Sequence, residues 1–212
     1  MDGVQFHDMR IVGIGGFSKG VGKTLLVCRM LGVLPGWGVL KTSRPRGDGS
    51  AGAVPPDGSF ELVTDPDALA RPGRDTARYL AAGASRVLWL RSAPERLPEA
   101  IPSALARLEG LPGLLVEGNS SARFLPLGRL FLVARVGRTE IKPSAWPLVD
   151  RADAIVLNAP RLASDEGRQE AERRLRRLWT ASRILVADLA DPSDPALAGL
   201  LAELRDWSRW PA

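Results

Sequence analysis

Cysteine is almost absent from this 212-residue chain, and the single thiol, Cys28, excludes a disulfide framework or a cysteine metal site. That usage suits a reducing compartment, so a cytoplasmic protein is expected. Histidine is equally scarce: His7 stands alone near the N-terminus, which argues against a histidine metal centre. No apolar run reaches the length of a transmembrane helix, and Asp2 and Asp8 spoil the N-terminus as a signal peptide. Aromatics make up only 6% and do not interleave with basic residues, so there is no stacking surface for single-stranded nucleic acid. The net charge of +5 comes from dispersed arginines; only four of the 29 basic residues are lysine (19, 23, 41 and 142). Such dispersion reads as solvated helix faces rather than a binding stripe, and nucleic acid is not the expected partner.

What the chain does contain is a glycine-rich loop in a definite context. Residues 16–24 read GFSKGVGKT, between the apolar runs 10–15 and 25–34. That is strand, loop and helix, the arrangement in which backbone N–H groups and a helix N-terminus converge on a phosphate. Gly20 and Gly22 let the backbone curl. Lys23 would reach the β- and γ-phosphates, and the Thr24 hydroxyl would ligate Mg²⁺. Gly16, Ser18, Lys19, Val21 and Leu25 complete the expected nucleotide-binding stretch, with GTP or ATP as the ligand. The leading glycine lies one residue further from Lys23 than in G-x-x-x-x-G-K-[ST], because Phe17 occupies the usual position.

Short apolar runs then alternate with helix-length amphipathic segments, the pattern of a mostly parallel α/β sheet in one domain over 1–212. Strands are expected at 10–15, 38–41, 60–64, 86–90, 113–117, 130–135, 154–158 and 184–188. Helices are expected at 22–33, 75–82, 102–108, 164–179 and 195–207, with a turn or short helix at 143–149. Residues 42–58 are too rich in Gly and Pro for regular structure, and a loop of that length suggests a mobile functional segment.

Ligands of parallel sheets bind at the carboxyl ends of the strands. Glu117 ends an apolar strand before Gly118, where a carboxylate is costly unless it faces a cation or donors; it is the expected metal-positioning and catalytic acid, alongside Lys23. Asp48, in the long loop, is placed either to approach Mg²⁺ or to serve as a turn residue. Lys41 ends the second strand and can contact a phosphate or an anionic substrate. The chain has two asparagines, Asn119 and Asn158, both at strand ends. Asn158 reads either as a base-recognising amide or as a turn cap.

The loop length and the VGKT ending resemble dethiobiotin synthetase and other dimer-forming P-loop NTPases. A related branch carries a signature lysine five positions before the loop lysine; Ser18 stands there, so Lys19 does not take that role. Residues 72–90 (PGRDTARYLAAGASRVLWL), with Val116, Glu117 and Gly118, resemble the molybdopterin-guanine dinucleotide biosynthesis B protein, a GTP-binding adapter. This resemblance covers residues 10 to about 120 and implies a three-layer P-loop NTPase fold with helices on both faces. It further implies slow nucleotide hydrolysis in molybdenum-cofactor or related cofactor biosynthesis, a partner protein and a possible homodimer. The family's His-rich stretch is replaced by KTSRPRGD, with Arg44 and Arg46. The likeness to dethiobiotin synthetase maps its metal site onto Thr24, Asp48 and Glu117 and implies an ATP-dependent kinase or ligase. On that alternative, the 42–58 loop and Arg71, Arg74 and Arg78 hold a small anionic substrate.

Overall fold

A computed structural model describes residues 9–44, 60–161, 163–178 and 183–209. Among these, eight strands form one sheet: β1 (Arg10–Gly16), β2 (Gly38–Ser43), β3 (Glu61–Val63), β4 (Val87–Arg91), β5 (Gly113–Glu117), β6 (Arg129–Arg135), β7 (Ala154–Asn158) and β8 (Arg183–Ala187). Their order is β3-β4-β2-β5-β1-β6-β7-β8, and every pairing is parallel except β3 with β4. The helices are α1 (Lys23–Leu31), α2 (Pro66–Ala70), α3 (Asp75–Ala81), α4 (Leu97–Ala106), α5 (Trp146–Val149), α6 (Asp165–Leu178) and α7 (Pro195–Arg209).

Strand alternation divides the core into two layers. Val12, Ile14, Val39, Leu115, Val133 and Val156 face one side, where they meet Leu26 and Met30 of α1, Tyr79 of α3, and Leu200 of α7. Ile11, Leu40, Leu114 and Val116 face the other, against Leu97, Ile101 and Leu105 of α4. Leu132, Ile155 and Leu157 extend that second layer against Leu148 of α5 and Leu175 of α6. The expected three-layer α/β architecture is therefore present.

Two helices differ from the sequence expectation. The short α2 is nucleated by Pro66 at its first position and by Asp65, whose carboxylate accepts the Ala68 N–H at 2.7 Å. Helix α4 begins at Leu97 rather than Pro102; Pro98 occupies the first turn, and Pro102 is carried inside the helix. The apolar pattern Leu97, Ile101, Leu105, all buried, overrides the proline break. Thr42 and Ser43 belong to β2 rather than to the long loop. Asp48 and Arg46 lie outside the described residues.

Chain connections leave β1 toward β2 on one side, while the later strands β6, β7 and β8 lie on the other. A crevice therefore opens at the carboxyl end of β1, between the ends of β5 and β6.

Candidate phosphate-binding site

The loop between β1 and α1 occupies that crevice. Gly20 and Gly22 have φ of 74° and 114°, values that L side chains resist. A Cβ on Gly22 would also lie 2.7 Å from the Asn158 side-chain nitrogen. Among the described residues, the backbone N–H groups of Ser18, Lys19, Gly20, Val21 and Gly22 find no acceptor. The Ser18 hydroxyl is also buried without a partner. Five successive unpaired donors, followed at once by a helix N-terminus, form a cradle that an anion would satisfy.

Both asparagines hold this loop. The Gly16 N–H donates to Asn119 Oδ1 at 2.8 Å, and Asn119 Nδ2 donates back to the Gly16 carbonyl at 3.0 Å. At the far end, Asn158 Nδ2 donates to the Val21 carbonyl at 2.9 Å, and its Oδ1 accepts the Leu189 N–H at 3.3 Å. Asn158 is 3% exposed, with both polar ends engaged. The structure thus places Asn158 as a clamp between the loop and the segment after β8. Val21 is fully buried beneath the loop, and Leu25 packs against the core from α1.

A cleft of about 620 Å³ adjoins the loop, which lines it through Lys19 and Lys23. Lys19, Lys23, Lys41 and Lys142, the four lysines of the chain, all line it. Lys142 arrives from the segment after β6, where its backbone N–H donates to the Phe17 carbonyl at 2.9 Å. Burial, aided by the neighbouring charge of Lys23, holds its ammonium below the usual lysine range, against the opposing pull of Glu117.

Glu117 is 5% exposed at the end of β5, in register with Lys41 of β2. Its Oε2 accepts the Thr24 hydroxyl at 3.3 Å and the hydroxyl of Tyr79, the only tyrosine of the chain. Its Oε1 lies 3.7 Å from Lys41 Nζ. Gly118 follows with φ of 154°, and a Cβ there would fall 1.9 Å from the Thr42 hydroxyl, so the turn after Glu117 requires glycine.

Lys41 is ion-paired with Asp75, the first residue of α3. Burial works to raise the Asp75 carboxyl. The hydrogen bond and charge of Lys41, with the Thr24 hydroxyl and Arg78, outweigh burial and leave the carboxyl below its ordinary value. Thr24 is thus approached by two carboxylates, Glu117 and Asp75. Asp75 is the aspartate that the described structure brings beside Thr24 and Lys41, whereas Asp48 lies outside the described residues. Among the described residues no group of three or more His, Cys, Asp or Glu side chains forms a protein-only metal cage. The set of one hydroxyl and two flanking carboxylates fits Mg²⁺, which is normally shared between one or two carboxylates and substrate phosphates.

Sequence reasoning did not assign Tyr79 or Lys142. Each belongs to a residue type that this chain uses sparingly, the signal that had singled out the asparagines. Arg78 lines neither this cleft nor the adjoining cavity described below; its carbonyl accepts the Cys28 thiol at 3.6 Å.

No protein-family model matches the chain, and no curated protein matches it by sequence. Its fold has counterparts among solved structures. The hydrogenase maturation factor HypB from Archaeoglobus fulgidus is similar over 95% of this chain and 91% of its own, with a TM-score of 0.58 and 15% identity. HypB from Helicobacter pylori, solved in complex with nickel, covers 95% of this chain and 88% of its own, with a TM-score of 0.55 and 14% identity. A LAO/AO transport system kinase covers 95% of this chain and 65% of its own, with a TM-score of 0.50 and 18% identity. At such identities the likeness concerns architecture alone. Among the described residues no helix is long and apolar enough to cross a membrane. Sheet order, the loop after the central strand and these likenesses together show a mostly parallel α/β fold shared with HypB and the LAO/AO transport system kinase.

Proposed function

We propose that the chain binds GTP or ATP with Mg²⁺ in the cleft over residues 16–24 and hydrolyses it slowly. The observation that carries this reading is the run of five unpaired loop N–H groups beneath a cleft lined by all four lysines. Loop N–H groups and Lys23 would hold the phosphates, while Lys142 adds a second cation from the opposite wall. Thr24, Glu117 and Asp75 would hold Mg²⁺, whose bound charge offsets that of the phosphates. Tyr79 and Lys41 orient the Glu117 carboxylate, Tyr79 at the oxygen that also accepts the Thr24 hydroxyl and Lys41 at the other. Among the described residues no side chain in the cleft stands out as a base for an attacking water, which is consistent with slow turnover or activation by a partner.

The resemblance of residues 72–90 and 116–118 to the molybdopterin-guanine dinucleotide biosynthesis B protein supports a role in molybdenum-cofactor or related cofactor biosynthesis. A homodimer and a partner protein from such a pathway belong to the same proposal. A second reading, an ATP-dependent kinase or ligase acting on a small anion, is favoured by a strongly basic cavity beside the cleft, reached past Lys41 and Asp75.

Calorimetry with GTP and ATP, with and without Mg²⁺, tests the first reading. Parent protein should bind one of them, and Lys23→Ala should abolish binding while its circular dichroism and unfolding midpoint stay unchanged. Unchanged affinity in Lys23→Ala would remove the phosphate assignment.

A further inference from the structure

The second cavity, of about 660 Å³, shares Lys41, Ser43, Arg44 and Asp75 with the phosphate cleft but is lined by no residue of the loop. Its wall is built around Trp89 of β4. The Arg74 guanidinium lies 5.2 Å and that of Arg91 5.0 Å from the Trp89 ring centre, while the indole N–H donates to the Ser43 hydroxyl at 2.8 Å. Trp89 is therefore fixed at its edge and holds two guanidinium groups against its ring system. Arg91 is 6% exposed and ion-paired to Glu61 on the edge strand β3, so its position is set from behind. Arg74 is further fixed by donating to the Ala68 carbonyl at 3.2 Å.

The charge balance of this cavity is uneven. Arg44, Arg71, Arg74, Arg91 and Lys41 line it, against Asp75 as the acidic residue. Asp75 is already committed to Lys41, and Arg91 to Glu61. Among the described residues Arg44, Arg71 and Arg74 have no acidic partner within ion-pair distance. Three guanidinium groups without an ion-pair partner among the described residues repel one another around one concavity, and Arg74 is held there by the indole and a carbonyl despite that cost. Guanidinium groups present paired donors that match carboxylate and phosphate oxygens. A single monocarboxylate would leave most of this charge unmatched.

The geometry points to a binding site for a small organic dianion, carrying a phosphomonoester or paired carboxylates, in the cavity around Trp89 and next to the phosphate cleft. Arg71 and Arg74 are its principal recognition groups. Trp89 is a positioning residue that keeps Arg74 in place, and the Lys41–Asp75 ion pair separates the dianion from the nucleotide cleft. The inference deepens the kinase or ligase reading by naming the chemistry of its second ligand. It stands independently of nucleotide binding.

The test is calorimetric titration of the full chain with phenyl phosphate and with isophthalate, which share an aromatic ring and differ in the anionic group. Parent and Lys23→Ala proteins should bind one of the two probes with equal affinity and unit stoichiometry. The Arg71→Ala/Arg74→Ala double variant should bind it at least about tenfold more weakly. The Arg71→Lys/Arg74→Lys variant, which keeps the charge and the fold, should also lose affinity because the paired donors are gone. In parallel, the Trp89 indole N–H resonance, assigned with Trp89→Phe, should shift on addition of the probe. The proposal is overturned if neither probe binds, if the arginine variants bind as the parent does, or if Lys23→Ala alone abolishes binding. The last result would place the anion on the loop instead. Loss of GTP and ATP binding with the probe still bound would fail the nucleotide reading and leave this site standing.

Discussion

Asn119 and Asn158 grip the phosphate loop at its two ends, the first at Gly16 and the second at the Val21 carbonyl. Each replaces backbone pairing that a curled loop cannot make for itself. Removing Asn119 leaves a buried N–H and carbonyl of Gly16 without these partners. Asn119→Ala should cost about 1–3 kcal/mol of stability, read from urea unfolding, and should weaken nucleotide binding as well. A loss of only a few tenths of a kcal/mol would mean that Gly16 finds other partners.

Asn158 makes a sharper case, because its amide is spent on Val21 and Leu189. Asn158→Ala should lower affinity for GTP, ATP and inorganic triphosphate by a similar factor, since all three use the same loop. A selective loss of one base in competition titrations would instead assign the side chain to base recognition.

Glu117 is expected to act through the metal. Glu117→Gln keeps the shape and can still receive the Thr24 and Tyr79 hydroxyl protons, but it lacks the charge. Mg²⁺-dependent turnover should fall by about 100-fold or more, with metal-free nucleotide affinity changed by less than about threefold. Equal losses in both measurements would make Glu117 a structural residue.

Lys142 is held below the usual lysine range chiefly by burial and then by Lys23. A larger share of neutral amine follows at alkaline pH. Lys142 should therefore be acylated ahead of exposed Lys19 near pH 9, with nucleotide protecting it, as measured by peptide mass spectrometry. Lys142→Met should weaken triphosphate binding by about tenfold, and diphosphate binding less. Labelling that ignores nucleotide would place Lys142 outside the phosphate contact.

Asp75 is also shifted downward, but in a carboxyl that direction favours the charged form. Its folded-state carboxyl titrates below its unfolded value, so the stabilisation is fully present above about pH 4 and is lost as pH falls through the lower, folded value. Asp75→Asn should flatten the acid limb of the stability curve below about pH 4 and leave Lys41 without its closest partner. An unchanged acid limb in thermal melts would show that the Lys41–Asp75 pair does not bear on folding.

Much of this was legible in the amino-acid order. Strands β5 and β7 lie where the apolar runs 113–117 and 154–158 end in polar residues, and the loop glycines sit at the positive φ angles that the motif demands. Local pattern carries such information because strand burial and loop curvature are set within a few residues. Lys142 and Tyr79 were not legible in that way. Neither lies in a phosphate motif; one is brought to the cleft by a turn that bonds Phe17, the other reaches Glu117 from helix α3, which packs beside α1 and β4. Helix α4 was misread for a different reason. Proline at 102 signals a helix start locally, whereas burial of Leu97, Ile101 and Leu105 rewards a longer helix only once the sheet is present. Residue rarity remained the useful clue: the only tyrosine, both asparagines and all four lysines meet at one end of the sheet.

Strand β1 is hydrogen-bonded along both edges, to β5 on one side and β6 on the other. A strand so flanked cannot slide or tilt without breaking two ladders at once. The loop that leaves it is also anchored at Phe17 through the Val133 carbonyl. On the proposed nucleotide reading, the presence or loss of a terminal phosphate would not be transmitted by displacement of this floor. On that reading it would be registered by the side walls, which carry Lys41 and Asp75 on one flank and the Lys142 segment on the other. Those two walls are the faces that a partner molecule would have to inspect in order to tell one nucleotide state from the next.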